Sequence, residues 1–234
     1  MIPNTLTCLN LVSGCIATLY AFQGEYTGAF VWIIMGAVFD FFDGFTARLL
    51  GVSSPIGKEL DSLADDITFG FAPSAILFSL LSQVEMPLAG LTTRTYLPYV
   101  AFAMAAFSAL RLAKFNLDAR QSDTFIGLPT PANALFWSAL ACGFHQSILQ
   151  SPDSFYGLLI GLVLSCALLV CEIPMFALKF KHFRWVGNRV RYLFILACAV
   201  LIATFALLGY SVVGFSVIII LYVVLSIILR KKRI

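Results

Sequence analysis

Four aspartates stand out by type and spacing. Asp40 and Asp43 are three residues apart, and Asp61 and Asp65 are four apart. On an α-helix each spacing puts its pair on one face, with Cβ atoms about 5–6 Å apart. All four lie in segments that otherwise read as membrane helices. An acid at the bilayer centre costs on the order of 2.5–3.5 kcal/mol on insertion scales. Four together need a reason, and a polar or metal-filled cavity supplies one. Two bare carboxylates about 4 Å apart repel by roughly 4 kcal/mol at an effective dielectric near 20. A pocket shared by four would protonate them or hold cations. Oxygen-only ligands suit hard ions such as Mg²⁺ or Mn²⁺, and paired ions serve phosphoryl chemistry. The competing reading is a helix-packing seam, with each acid paired to a Lys or Arg of a neighbouring helix.

The elements around the acids must bring the two pairs together. Between them runs LLGVSSP, with Gly51, Ser53, Ser54 and Pro55. This is turn chemistry, and it predicts two antiparallel helices, each presenting one pair to a shared space. Gly44, Ala47 and Gly57 carry little or no side chain and leave room for a ligand near the backbone. Arg48, at the same helix end, can neutralise phosphate. The N-terminal IPNTLTCLN is polar for a membrane segment, with Asn4, Thr5, Thr7 and Asn10. Either Asn4 or Thr5 caps the helix, or Asn4 and Thr7 contact a ligand at the acidic pocket. Asp66 follows Asp65 but points about 100° away on a helix, which fits a supporting or helix-pairing role.

The acids and their neighbours read D-x2-D-G-x2-A-R-x8-G-x3-D-x3-D, filled by Asp40, Asp43, Gly44, Ala47, Arg48, Gly57, Asp61 and Asp65. This resembles the signature of the CDP-alcohol phosphotransferase family at every fixed position. The resemblance implies transfer of a phosphatidyl-type group from a CDP-linked lipid to an alcohol, with release of CMP. It implies that Asp40, Asp43, Asp61 and Asp65 hold two divalent cations, Mg²⁺ or Mn²⁺, and that Asp65 is also the general base. Gly44, Ala47, Arg48 and Gly57 would cradle the CDP moiety, with Asn4 and Thr7 completing the CDP-lipid site. PNTLTCLN, RLAKFN (Arg111 to Asn116) and FIGLPTPAN (Phe125 to Asn133) look like the phosphatidylserine synthase branch, which uses CDP-diacylglycerol and L-serine. In that reading Arg111 and Lys114 bind the serine carboxylate and Asn116 hydrogen-bonds the amino acid. Otherwise the two cations are topology anchors at a helix end. Glycerol 3-phosphate or an inositol phosphate would also require basic residues, so charge leaves the acceptor open. Kinship implies a homodimer. A divalent-cation transporter is the reading from another class. Transporters often show repeats in both halves, and residues 120–234 hold no second acidic segment.

Composition bounds the rest. Of 234 residues, 60% are hydrophobic and 12% charged, against about 25% charged in soluble domains; the mean hydropathy is +0.94. The expected fold is an all-α polytopic membrane bundle, one integral domain over 1–234, with a catalytic core to about 190 and a helical hairpin at 192–229. Eight spans are expected: Thr5–Phe22, Tyr26–Leu50, Ile56–Ser82 with a bend at Gly70 and Pro73, Tyr96–Lys114, Pro131–Leu149, Phe155–Val170, and two within Tyr192–Leu229 turning at Gly209-Tyr210-Ser211. The net charge of +3 is no nucleic-acid signal, because the basic residues cluster at helix ends. In this topology all Lys and Arg except Arg94 fall on one face, including the run from Lys179 to Arg191. The positive-inside rule then puts both termini and the acidic site at the cytoplasmic side of the cell (inner) membrane. The six cysteines read as small core hydrophobes, and His145 and His182 as polar residues near the membrane surface. The N-terminus lacks a basic n-region and a cleavage site, so it is expected to stay in the mature protein.

Overall fold

Glycines set the reversals that build the bundle. α1 (Ile2–Phe22) and α2 (Tyr26–Leu50) are joined through Gly24, at φ 77°. α2 stops at Gly51, in the left-handed conformation with φ 61°, which a residue without Cβ adopts without penalty. The next helix is capped where the turn sequence said it would be. Ser54 Oγ accepts the Gly57 N–H at 3.0 Å and Pro55 stands at the first helical position, where its missing N–H costs nothing. The computed structural model in which this is seen describes residues 2–52, 54–86, 95–118, 125–151, 153–175, 188–210 and 212–230.

α3 (Pro55–Asp65) and α4 (Ala72–Gln83) form one continuous helix of 29 residues, interrupted by a π-helical stretch at Asp66–Phe71. The bend expected at Gly70 and Pro73 is this π stretch, with Gly70 inside it. A Cβ on Gly70 would come within 2.6 Å of Asp66 Oδ1 and 2.8 Å of Ser108 Cβ. π stretches occur often at functional sites, and this one begins directly after Asp65. It divides two environments. α4 is core, with Ala72, Ala75, Ile76, Leu77, Leu80 and Leu81 all fully buried, whereas in α3 only Ala64 is buried.

A 3₁₀ turn (Leu97–Phe102) leads into α5 (Ala103–Leu117). α6 (Thr130–Gln150) and α7 (Ser154–Val170) follow, then the hairpin of α8 (Arg189–Leu207) and α9 (Val213–Arg230), which turns at Gly209 with φ 80°. Among the described residues, these eight helical stretches each lie within a few residues of an expected span. Five helices among the described residues are long and apolar enough to cross a membrane: α1, α2, Pro55–Gln83, Leu97–Leu117 and α8. Ser154–Val170 and Val213–Leu229 are shorter apolar helices. The protein is a multi-pass membrane bundle. The sequence reading contained no strand, and the structure adds a short antiparallel pair, β1 (Phe125–Ile126) with β2 (Pro174–Met175).

α1 is fastened to the π stretch at close range. Gly14 lies against Thr68, where a Cβ would be 2.7 Å from Thr68 Cα and 2.8 Å from its N. Thr68 Oγ1 donates to Asn10 O at 2.9 Å. Small residues at such crossings replace the hydrophobic driving force that helices lack in lipid. Arg94, Arg120, His182, the basic residues from Lys179 to Arg184 and those at 231–233 lie outside the described residues.

Candidate active site

Asp40 comes from the second half of α2, and Asp61 and Asp65 from α3. One carboxylate oxygen from each lies within 4.8 Å of the others, close enough for a single metal ion to be shared. The charges that act on Asp40 and Asp61 are those of other carboxylates. Among the described residues, neither acid is shown paired with a lysine or arginine across a packing seam. Such a set of hard oxygen ligands, held together against its own repulsion, fits a divalent cation.

Asp43 belongs to the same acidic group but turns to a different partner. It is buried, and Thr7 Oγ1 donates to its Oδ2 at 2.6 Å. Its charge acts on Asp40, Asp61 and Asp65, while Arg48 acts on it. Thr7, expected at a ligand, thus holds an acid and also lines the cavity beside the acids. Asn10, noted from sequence only as a polar residue, contributes more. Its Nδ2 donates to Asp65 Oδ1 at 3.1 Å, from a side chain with no exposure. The available signal was a carboxamide deep in an apolar helix, where a polar side chain needs a partner.

Beside the acids opens a cavity of about 500 Å³, lined by Asn4, Thr7, Asp43, Gly44, Ala47, Gly57, Lys58 and Asp61 among others. Five of the six residues expected to hold the nucleotide-lipid thus meet in one place, and the sixth, Arg48, lies against Gly44. Their small size has a visible reason. A Cβ on Gly57 would lie 3.0 Å from Ser54 Oγ and 3.3 Å from Asn4 Oδ1, and one on Gly44 would lie 3.4 Å from Arg48 Nη1. Arg48 is exposed at the end of α2, with its guanidinium over Gly44.

Of the residues expected at the acceptor site, the two basic ones stay together and Asn116 parts from them. Arg111 and Lys114 line a second cavity, of about 430 Å³. Arg111 is only 7% exposed, its Nη1 is 3.4 Å from Thr130 Oγ1, and it lies 5.4 Å from the centre of the Phe115 ring. Asn116 is turned to α3 instead. Its Nδ2 donates to Ser62 Oγ at 2.7 Å, and its carbonyl accepts from Lys58 Nζ at 3.0 Å. Asp66 is half-buried at the start of the π stretch, and its buried Oδ1 has no hydrogen-bond partner among the described residues.

Comparison with known proteins bears on this arrangement. A family model described as CDP-alcohol phosphatidyltransferase matches residues 1–174. The chain is 32% identical over 183 residues to the CDP-diacylglycerol–serine O-phosphatidyltransferase of Bacillus subtilis (strain 168), covering 78% of this chain and 91% of the relative. It is 35% identical over 164 residues to the protein of the same name from Methanocaldococcus jannaschii, covering 70% of each. With the Mycobacterium leprae (strain TN) protein of that name the identity is 30% over 175 residues, and the match spans 75% of this chain but only 58% of the relative.

Proposed function

The chain belongs to the CDP-alcohol phosphatidyltransferase family, and on that premise we propose that it transfers the phosphatidyl group of CDP-diacylglycerol to the hydroxyl of L-serine, giving phosphatidylserine and CMP. The observation that carries this reading is the triad of Asp40, Asp61 and Asp65, gathered beside a cavity lined by Asn4, Gly44, Ala47 and Gly57. The names of the relatives favour serine over a phosphorylated acceptor.

Asp40, Asp43, Asp61 and Asp65 are the residues that would hold two divalent cations. When bound, these supply Lewis-acid stabilisation of the charge that develops on the phosphates and on the departing CMP. The chain's own part is to bind, orient and move one proton. Gly44, Ala47 and Gly57 let the CDP group lie against the backbone, with Asn4 and Thr7 at the cavity wall and Arg48 offsetting phosphate charge. Arg111 and Lys114 take the serine carboxylate, and Asn116 supports the end of α5 that carries them. The serine hydroxyl oxygen attacks the phosphorus that bears diacylglycerol. The phosphoanhydride bond to CMP breaks, and the hydroxyl proton passes to Asp65, whose carboxylate is fixed by Asn10.

The whole chain serves as one integral domain, with the α8–α9 hairpin appended to the catalytic core. We place the acidic site and both termini at the cytoplasmic face, where the nucleotide and serine are soluble while the acyl chains stay in the bilayer, and we take the working form to be a homodimer. Purified protein incubated with CDP-diacylglycerol, Mn²⁺ or Mg²⁺ and one alcohol at a time is expected to release CMP with L-serine. Release with glycerol 3-phosphate and none with serine would refute the assignment.

A further inference from the structure

The second cavity holds more than the two cations. Its wall also carries Asp118, Ile126, Leu169 and Glu172. Arg111, more than nine-tenths buried, brings to it a guanidinium whose Nε has no hydrogen-bond partner among the described residues. A buried guanidinium needs a counter-charge, and the cavity it lines offers a place for an anion. Glu172 brings the opposite charge from a different element, just beyond the end of α7. Asp118 lines the same wall from the end of α5, the helix that carries Arg111 and Lys114.

We propose that Glu172 receives the α-ammonium of the acceptor amino acid while Arg111 and Lys114 hold its carboxylate, so that this cavity selects a zwitterion. The proposal rests on the serine-transferring reading above and names the residue that sets its specificity. The segment that carries Glu172 is built into the site. Gly127 N–H donates to Ile173 O at 2.9 Å and Leu128 N–H to Leu168 O at 2.8 Å, on either side of Glu172. Gly127 has φ 76°, and a Cβ there would stand 2.7 Å from Leu169 O. Only glycine permits this approach. The same loop supplies Thr130, 3.4 Å from Arg111 Nη1. One loop therefore connects the anion-binding guanidinium to the chain bearing the carboxylate. Glu172 also repels a competitor: a phosphorylated alcohol would bring added negative charge to a carboxylate with which it cannot pair.

The test uses the full chain, CDP-diacylglycerol and three alcohols: L-serine, 3-hydroxypropionate (serine without its amino group) and glycerol 3-phosphate. Glu172→Gln is expected to raise the KM for L-serine about tenfold or more, as for loss of a charged hydrogen bond. The KM for CDP-diacylglycerol and kcat/KM for 3-hydroxypropionate should stay within about twofold of wild type. Glu172→Asp should fall between wild type and Glu172→Gln. A serine KM unchanged in Glu172→Gln, or an equal loss with serine and 3-hydroxypropionate, would overturn the assignment. Wild-type enzyme supplies a measurement independent of any variant: it should prefer serine to 3-hydroxypropionate by more than about tenfold, and parity would also overturn the assignment. Absence of CMP release from wild type with serine would instead remove the serine-transferring reading itself.

Discussion

Asn10 Nδ2 donates to Asp65 Oδ1 at 3.1 Å, joining the first helix to the proposed general base across 55 positions of sequence. The carboxamide is fully buried, and its backbone carbonyl accepts from Thr68 Oγ1 at 2.9 Å. Asn10 is thus held by the π stretch that begins immediately after Asp65, and it in turn holds Asp65. A hydrogen bond to a charged group contributes about 1.5–3 kcal/mol. Asn10→Ala is expected to lower kcat roughly 10- to 100-fold while the KM for CDP-diacylglycerol changes little. A kcat within about twofold of wild type in a CMP-release assay would show that Asp65 does not depend on this bond.

Asp65 itself carries the heaviest prediction. Asp65→Asn keeps the size of the side chain and removes its ability to accept a proton. Turnover should be abolished, while binding of CDP-diacylglycerol, followed by direct titration of the purified variant, largely survives. Near-wild-type turnover would take the base role away from this residue.

The acidic cluster predicts a stability effect that needs no turnover. Carboxylates held within 4.8 Å of one another repel, and a cation that binds only the folded state stabilises it, by about 2.7 kcal/mol at one hundred times its Kd. Adding Mn²⁺ or Mg²⁺ should raise the melting temperature of the detergent-solubilised wild type. The shift should shrink in Asp61→Asn, and that variant should be more stable than wild type without metal. An equal shift in both proteins would move the metal elsewhere.

Much of this was legible in the chain itself, for identifiable reasons. Asp40, Asp43, Asp61 and Asp65 stand at helical spacings around a turn whose Gly51, Ser54 and Pro55 each take the conformation or cap their chemistry favours. Local rules decided that hairpin, so sequence reading reached it. The partners of the acids were harder. Nothing in the spacing of Thr7 or Asn10 says which acid each will meet, because that depends on how α1 crosses α2 and α3. The crossing is set by Gly14 against Thr68 and Gly36 against Asn10, contacts between residues far apart in the chain. The π stretch was hidden for a similar reason: Gly70 and Pro73 signal a disturbance in a helix but not its type. Asn116 illustrates the limit at the site. Its position in RLAKFN pointed to substrate, whereas its amide meets Ser62 on a neighbouring helix.

The nucleotide-lipid cavity depends on the absence of side chains. A Cβ on Gly57 would already approach Ser54 Oγ and Asn4 Oδ1 at 3.0 and 3.3 Å. Gly57→Val extends further into the space and disturbs the cap of α3. The expected result is a KM for CDP-diacylglycerol raised at least about tenfold with the serine KM little changed. A rise confined to serine would reverse the assignment of the two cavities.

The last prediction separates packing from chemistry. A Cβ on Gly14 would meet backbone atoms of Thr68 at 2.7 and 2.8 Å, and backbone cannot rotate away. Gly14→Val must push α1 off the π stretch, at a cost of about 1–3 kcal/mol for overpacking. The shift would also strain the Thr68–Asn10 bond and move Asn10 from Asp65, so activity should fall along with the melting temperature. Gly157, in α7, has nothing among the described residues within 4 Å of its Cβ position. Gly157→Ala should therefore keep activity and gain up to about 1 kcal/mol, the difference in helix propensity between the two residues. Thermal melts and CMP release on both variants check this together. A Gly14→Val protein with wild-type melting temperature and turnover would mean that close contact between α1 and the π stretch is not what holds Asn10 against Asp65.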